Sequence, residues 1–126
     1  MSDTNRVVLT DHIVSGAAHN VTVQTLDGPG SGGAHHEYLL QWEGDHTGGS
    51  TTIRFQNGPI AEAGVNGVSG EALMSVLIHR LRCFQAGPFA CRENALALTN
   101  LEQSLMWLQK RTHDRIARNV EGTHAK

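Results

Sequence analysis

The sequence predicts an α+β fold: an N-terminal antiparallel β-sheet of about four strands, then a C-terminal two-helix hairpin that oligomerises through its helices. Three observations predict it. Residues 1–56 hold short runs of β-branched and aromatic residues parted by glycine-rich turns. Residues 71–124 instead carry apolar residues three and four apart, the period of a helix with one buried face. Between two such periodic runs stands "QAGPFA", 85–90, where Gly87 and Pro88 make a tight reversal.

The strands follow in order. "RVVLTDHIV", 6–14, is β-branched and reads as the first. "VTVQTL", 21–26, alternates well enough for the second, and "DGPGSGG", 27–33, is the loop after it. "EYLLQWEG", 37–44, is the third, "DHTGGS", 45–50, a turn, and "TTIRF", 51–55, the fourth. This spacing suits a meander, and a sheet so small needs something to cover one face. "QNGPIAEAGVNGVSG", 56–70, is a long connector with four glycines and a proline, and long connectors in small domains are often functional. We divide the chain into a sheet region, 1–56, a ligand-contacting connector, 57–70, and a helical hairpin, 71–124, forming one compact domain.

Helix one follows Ser69, a suitable N-cap, with Glu71 at the positive end of the helix dipole. Leu73, Val76, Leu77, Leu81 and Phe84 give its apolar face. Helix two runs from about 91 to about 120, with Gly122 as its stop. Leu98, Leu101, Leu105, Leu108 and Thr112 step by 3, 4, 3, 4, a heptad-like seam that suits both a hairpin and partner helices. At about 1.5 Å per residue this helix is ~40 Å long, so its far end is expected to find cover in another subunit.

Composition limits the function. The chain has 126 residues, net charge −2 and only 17% charged residues, which argues against a general nucleic-acid coat. The charge is divided: residues 1–60 sum to −4 and residues 61–126 to +2. Two cysteines, Cys83 and Cys91, are no disulfide framework. No apolar run reaches membrane-spanning length and "MSDTNRVVLTDH" has no apolar signal region. The expectation is a soluble cytoplasmic protein with no DNA or membrane partner.

The cations concentrate in "WLQKRTHDRIARN", 107–119. Trp107, Arg111 and Arg115 stand at i, i+4 and i+8, flanked by Lys110 and Arg118, with Asp114 as the one acid. Two guanidiniums a turn apart, off the leucine seam, can grip two phosphates or both sides of a pyrophosphate through forked hydrogen bonds. Trp107 can stack a base or pack a subunit. The plainer alternative is a solvated surface in which Lys110 pairs with Asp114, or Asp114 with Arg118.

Two further stretches invite a ligand. In "FQNGPI", Gly58 and Pro59 fix a turn, Gln56 and Asn57 add amides, and Ile60 closes the run; the alternative is a simple turn. Asn94 falls in the first turn of helix two, where it can hydrogen-bond a polar ligand or serve the helix start. His35–His36 and His79-x3-Cys83 are the best metal candidates, and neither gives a closed ligand set. No nucleophile elbow, phosphate loop, dinucleotide fingerprint or zinc-protease motif occurs. We expect no catalytic residues, no metal and no cofactor; the signal is for binding a small phosphorylated ligand.

Two long stretches, "FQNGPIAEAGVNGVSGEAL" (55–73) and "FQAGPFACRENALALTNLEQSLMWLQKRTHDRIARNVEGTH" (84–124), resemble the Thoeris anti-defence one family of phage proteins. The helical half also resembles the hairpin of the anti-CBASS two family. The likeness is close over roughly 55–124, while the N-terminal half matches in character only. This sequence departs at "NLEQSL", where the family tends to "KLEEAL", and at His113, where a basic residue is common.

The resemblance implies a non-enzymatic sponge acting in the cytoplasm of the infected bacterial host. Such a protein sequesters the cyclic ADP-ribose isomer, glycocyclic ADP-ribose, that a TIR-domain enzyme makes, and does not degrade it. It also implies a homo-oligomer, with a dimer as building block and a hexamer as the expected assembly. The family pattern puts ligand contacts on Phe84, stacking adenine, Asn94, hydrogen-bonding it, and Arg111 and Arg115, holding the pyrophosphate. Gln56 to Ile60 would close the pocket from a neighbouring chain. The alternative is a sponge mainly for cyclic di- or trinucleotides, with trinucleotides at separate sites. Two rivals come from other classes. An enzyme that cleaves the signal has only His113, Asp114 and Ser104 near the arginines in sequence. A DNA-binding regulator would need cations beyond the stripe.

Overall fold

A computed structural model describes residues 6–14, 20–44 and 46–125. Asp45, the first residue of the expected 45–50 turn, lies outside the described residues. The architecture is α+β, with a four-stranded antiparallel sheet followed by helices. The chain falls into two compact units, Met1–Gly67 and Val68–Lys126. Most of the connector therefore belongs with the sheet.

In the first unit the strands lie side by side in chain order: β1 (Val8–Leu9), β2 (Val21–Thr25), β3 (Glu37–Trp42) and β4 (Gly49–Arg54). The register Val23↔Leu40↔Thr51 and Thr25↔Tyr38↔Ile53 gathers the larger apolar side chains on one face. Thr22↔Gln41↔Ser50 and Glu37↔Arg54 fall on the other, so the pleat separates apolar from polar. Tyr38 meets Phe55 edge-to-face at 5.7 Å. The first strand is far shorter than the expected 6–14. A turn at Thr10, closed by the Ile13 N–H donating to the Thr10 carbonyl at 3.0 Å, ends it. β-propensity continues past that point, but ladder partners do not.

The loop after β2 is not the loose segment its glycines suggest. The Asp27 carboxylate accepts the backbone N–H groups of His36 (3.0 Å) and Glu37 (3.2 Å). His35 Nδ1 donates to the Asp27 carbonyl, and His36 Nε2 to the Ser31 carbonyl. Burial works against the Asp27 charge, yet the N–H groups of His36, Glu37 and Asp27 itself, with His35 alongside, hold the carboxyl below its ordinary value. A 3-10 turn at Ser31–Gly33 completes the loop. The connector carries an unforeseen single-turn helix, α1 (Ile60–Ala63), entered at Pro59 and left at Gly64, whose φ is +72°.

The second unit is the expected hairpin of α2 (Gly70–Gln85) and α3 (Arg92–Ala117). Ser69 Oγ accepts the Ala72 N–H at 3.1 Å, the predicted cap. The reversal is pinned by Gln85, whose side chain both donates to and accepts from the Cys91 backbone at 3.1 Å. Arg82 of α2 pairs with Glu102 of α3 at 2.8 Å. Ile78, 3% exposed, is the one buried hydrophobic residue among the described residues. The predicted face of α2 is displaced: Leu73, Leu81 and Phe84 are half-buried, but Val76 and Leu77 are exposed. The 3–4 spacing admits two overlapping apolar faces, and the one centred on Ile78 is the face that packs. α3 ends earlier than Gly122. Asn119, at φ +59°, is the left-handed cap, with Asn119 N–H on the Ile116 carbonyl and Val120 N–H on the Arg115 carbonyl, a Schellman motif.

Candidate functional site

The leucine seam holds, and it is longer than predicted. Leu98, Leu101, Leu105, Leu108 and Thr112 are all half-buried. Asn94, four residues before Leu98, and Arg115, three after Thr112, occupy the next seam positions. Asn94 is half-buried and Arg115 is only 7% exposed. Arg115 was expected off the seam; it continues it.

A groove of about 560 Å³ runs along the far end of α3, lined by Trp107, Lys110, Arg111, Asp114, Arg115 and Arg118. Its size is that of a small-molecule site. At ~100° per residue, Trp107, Arg111, Asp114 and Arg118 fall on the face of α3 turned away from the seam. Trp107 is 65% exposed, leaving its ring open to contact. Lys110 Nζ donates to Asp114 at 2.7 Å, so the one acid of the groove is already matched within its own helix. The Arg111 side chain has no hydrogen-bond or ion-pair partner among the described residues. Arg115, in the last turn of α3, and Arg118 at its C-cap are also favoured by the negative end of the helix dipole. The result is a net positive, partly aromatic surface, suited to an anion bearing a flat ring.

Arg115 is held differently. After Asn119 the chain turns back, and the guanidinium is clasped by the tail. Nε donates to Glu121 Oε1 at 2.7 Å, and Nη2 to the carbonyls of Val120 (2.9 Å) and Thr123 (3.0 Å). Nη1 donates to the Ala125 carbonyl. A guanidinium has five N–H donors, and these contacts engage up to four of them. Its charge is buried with a carboxylate partner, the arrangement that burial of a charge requires.

The other expected site residues lie elsewhere. Phe84, in the last turn of α2, has the Arg80 guanidinium 5.0 Å from its ring centroid. Asn94 is in the first turn of α3, its N–H donating to Cys91 Sγ. Both therefore stand at the reversal end of the hairpin, while Trp107, Arg111, Arg115 and Arg118 stand at the other. α3 is continuous over 26 residues, so Asn94 and Arg111 are about 25 Å apart along its axis. One small ligand cannot touch both on one chain.

The connector residues belong to the first unit. Gln56 Nε2 donates to the carbonyls of Gly58 (3.1 Å) and Gly64 (2.7 Å), and its Oε1 accepts the Asn66 N–H. Asn66 closes a reciprocal pair with the Asn57 backbone at 2.7 Å in each direction. The amides of Gln56 and Asn66 thus shape the loop, Gly58 turns it at φ +90°, Pro59 starts α1 and Ile60 is exposed. Asn66 and Glu121 were not anticipated. The one signal for them was their place within "GVNGV" and "VEGTH", in the stretches that carried the resemblance. His79 Nε2 and Cys83 Sγ are 3.8 Å apart. Among the described residues no group of three or more potential ligands is placed around a metal, and no helix is long and apolar enough to cross a membrane.

A family model described as "Acb2/Tad1, hairpin domain" matches residues 49–113, just over half of the chain. The chain belongs to the Acb2/Tad1 hairpin family. Within it, the chain is similar to "Thoeris anti-defense 1" of Bacillus phage SBSphiJ7, with 54% identity over 82 residues. That match covers 65% of this chain and 58% of the relative, less than two thirds of the relative's length. The Acb2/Tad1 match runs from β4 through the connector and α2 into α3. It includes Phe84, Asn94, Trp107 and Arg111, and ends before Arg115, Arg118 and the tail.

Proposed function

We propose that this protein is a phage anti-defence sponge that binds and sequesters glycocyclic ADP-ribose, the cyclic ADP-ribose isomer made by TIR-domain enzymes, and so blocks Thoeris immunity without degrading the signal. The observation that carries this reading is the basic, Trp-edged groove on α3 in a hairpin of this family. The name of the phage relative supports the immune target. Arg111 and Arg118 supply charge for the pyrophosphate, Arg115 fixes a third guanidinium in the groove wall, and Trp107 offers a ring. Phe84 stacks the adenine and Asn94 hydrogen-bonds it. Charge-assisted hydrogen bonds contribute roughly 1.5–3 kcal/mol each, enough for tight capture with no covalent step.

The ~25 Å between Asn94 and Arg111 supports a site shared between chains. The adenine end and the pyrophosphate end of one site come from two chains, with hairpins antiparallel so that the reversal of one meets the groove of the other. Exposed Leu96, Met106 and Trp107 on α3 suit such a partner. We read the protein as a homodimer-based assembly, a hexamer in its full form, with Gln56, Asn57, Gly58, Pro59 and Ile60 closing each site from a neighbouring chain. It acts in the cytoplasm of the infected cell. A second reading, a sponge mainly for cyclic di- or trinucleotides of CBASS systems, is favoured by the hairpin family's joint description, which pairs the two kinds of anti-defence protein.

Complementation tests the shared site. Asn94→Ala and Arg111→Ala proteins should each lose capture of glycocyclic ADP-ribose. Mixed after dissociation and reassembly, they should regain about one quarter of the sites, since half the dimers are mixed and one site in each is intact. No recovery would mean that Asn94 of one chain and Arg111 of another do not complete one site, and would contradict the reading.

A further inference from the structure

We infer that the C-terminal tail, residues 120–125, is part of the binding site, with Glu121 as a positioning residue that acts through Arg115. This rests on the reading of the α3 groove as a phosphate site. The family match ends at His113, so nothing in it assigns the tail a role.

The argument starts from how a long cation is usually held. A free arginine on a helix surface samples many rotamers, and ordering it on a ligand opposes binding. Arg115 is already ordered. It lines the groove, is 7% exposed, and its guanidinium is fixed from three directions by the Glu121 carboxylate and the carbonyls of Val120, Thr123 and Ala125. The tail is itself folded for this purpose. Thr123 Oγ1 donates to the Val120 carbonyl and accepts the Ala125 N–H, while Gly122, at φ +82°, turns the chain between them. Asn119 begins the return by capping α3 in the left-handed region. A short tail with this many internal contacts, converging on one buried cation in the wall of the groove, preorganises that cation. Arg111, by contrast, has no partner to order it among the described residues. Within the groove the Arg115 guanidinium is thus fixed while that of Arg111 is adaptable.

A double-mutant cycle on the full-length protein tests this, with glycocyclic ADP-ribose and inorganic pyrophosphate as probes and ¹⁵N-arginine spectra as the second readout. Glu121→Ala removes the acceptor on Nε and should weaken binding of either probe about tenfold, the equivalent of one charge-assisted hydrogen bond. Glu121→Gln keeps an oxygen acceptor and should restore affinity to within about twofold. In an Arg115→Ala background, Glu121→Ala should change nothing further. The Arg115 Nε–H signal should be protected from exchange in wild type and Glu121→Gln and lost in Glu121→Ala. Binding by Glu121→Ala at or above wild-type strength overturns the inference, as does a full loss that persists without Arg115 or a Glu121→Gln as weak as Glu121→Ala. If wild type binds pyrophosphate but no cyclic nucleotide, the functional reading falls and the pyrophosphate cycle still decides the tail's role. If it binds neither, both fall.

Discussion

Asp27→Asn should loosen the first unit and flatten its response to acid. The carboxylate accepts the N–H groups of His36 and Glu37 at 3.0 and 3.2 Å, joining the end of β2 to the start of β3 across the loop. Asparagine is nearly isosteric but has one acceptor oxygen; its NH₂ would face the second N–H, donor against donor. One charge-assisted bond is lost and one N–H is left poorly matched, roughly 1.5–3 kcal/mol if fully buried. The Asp27 side chain keeps 24% of its exposure, so water offsets part of this and about 1–2 kcal/mol is expected. The pH dependence follows from the depressed carboxyl. Its stabilisation is present above the unfolded value of 3.8 and is lost as pH falls through the lower folded value. Urea unfolding followed by Trp42 fluorescence, in a Trp107→Phe background, reads both effects. As pH falls below the unfolded carboxyl value, the parent should lose stability more steeply than Asp27→Asn. Parallel pH profiles, or an Asp27→Asn as stable as its parent at pH 7, would refute the reasoning.

Other outcomes follow from the same structure. Ile78→Ala should lower hairpin stability by about 3 kcal/mol, because it empties the one buried apolar position among the described residues, and helix melting by circular dichroism reads it. Gly67→Ala should destabilise the sheet's last strand by roughly 1–3 kcal/mol: a Cβ there would lie 2.4 Å from the Phe55 carbonyl carbon, and amide exchange along β4 would report the shift. Arg111→Ala should weaken glycocyclic ADP-ribose binding by about 1.5–3 kcal/mol in calorimetry while leaving the melting temperature unchanged, since the residue has no intramolecular partner among those described.

The strands and the hairpin are legible in the sequence because each rests on a local pattern. Alternation marks β2 and β3, glycine-rich runs mark the turns, and the 3–4 step marks both helices. What is not legible depends on partners distant in the chain. The apolar run 6–14 reads as one strand, but only Val8 and Leu9 find a ladder. Val76 and Leu77 satisfy the helical period as well as Ile78 does, and only the position of α3 chooses between them. Arg115 looks like its neighbour Arg111 in sequence, yet it falls at a seam position and meets a tail whose turn-back is set by Asn119 and Gly122. In this chain a charged residue ends the leucine seam, and the "NVEGTH" that follows it supplies the clasp.

The central claim is capture without destruction, and one experiment addresses it directly. Purified protein is incubated with glycocyclic ADP-ribose and filtered, the retained protein is heated, and the nucleotide is followed by chromatography at each stage. The account predicts that the ligand disappears from the first filtrate and returns intact, in stoichiometric yield, after heating. Return as a cleaved product would make the protein an enzyme, and a ligand that never leaves the filtrate would show that the α3 groove does not hold this signal.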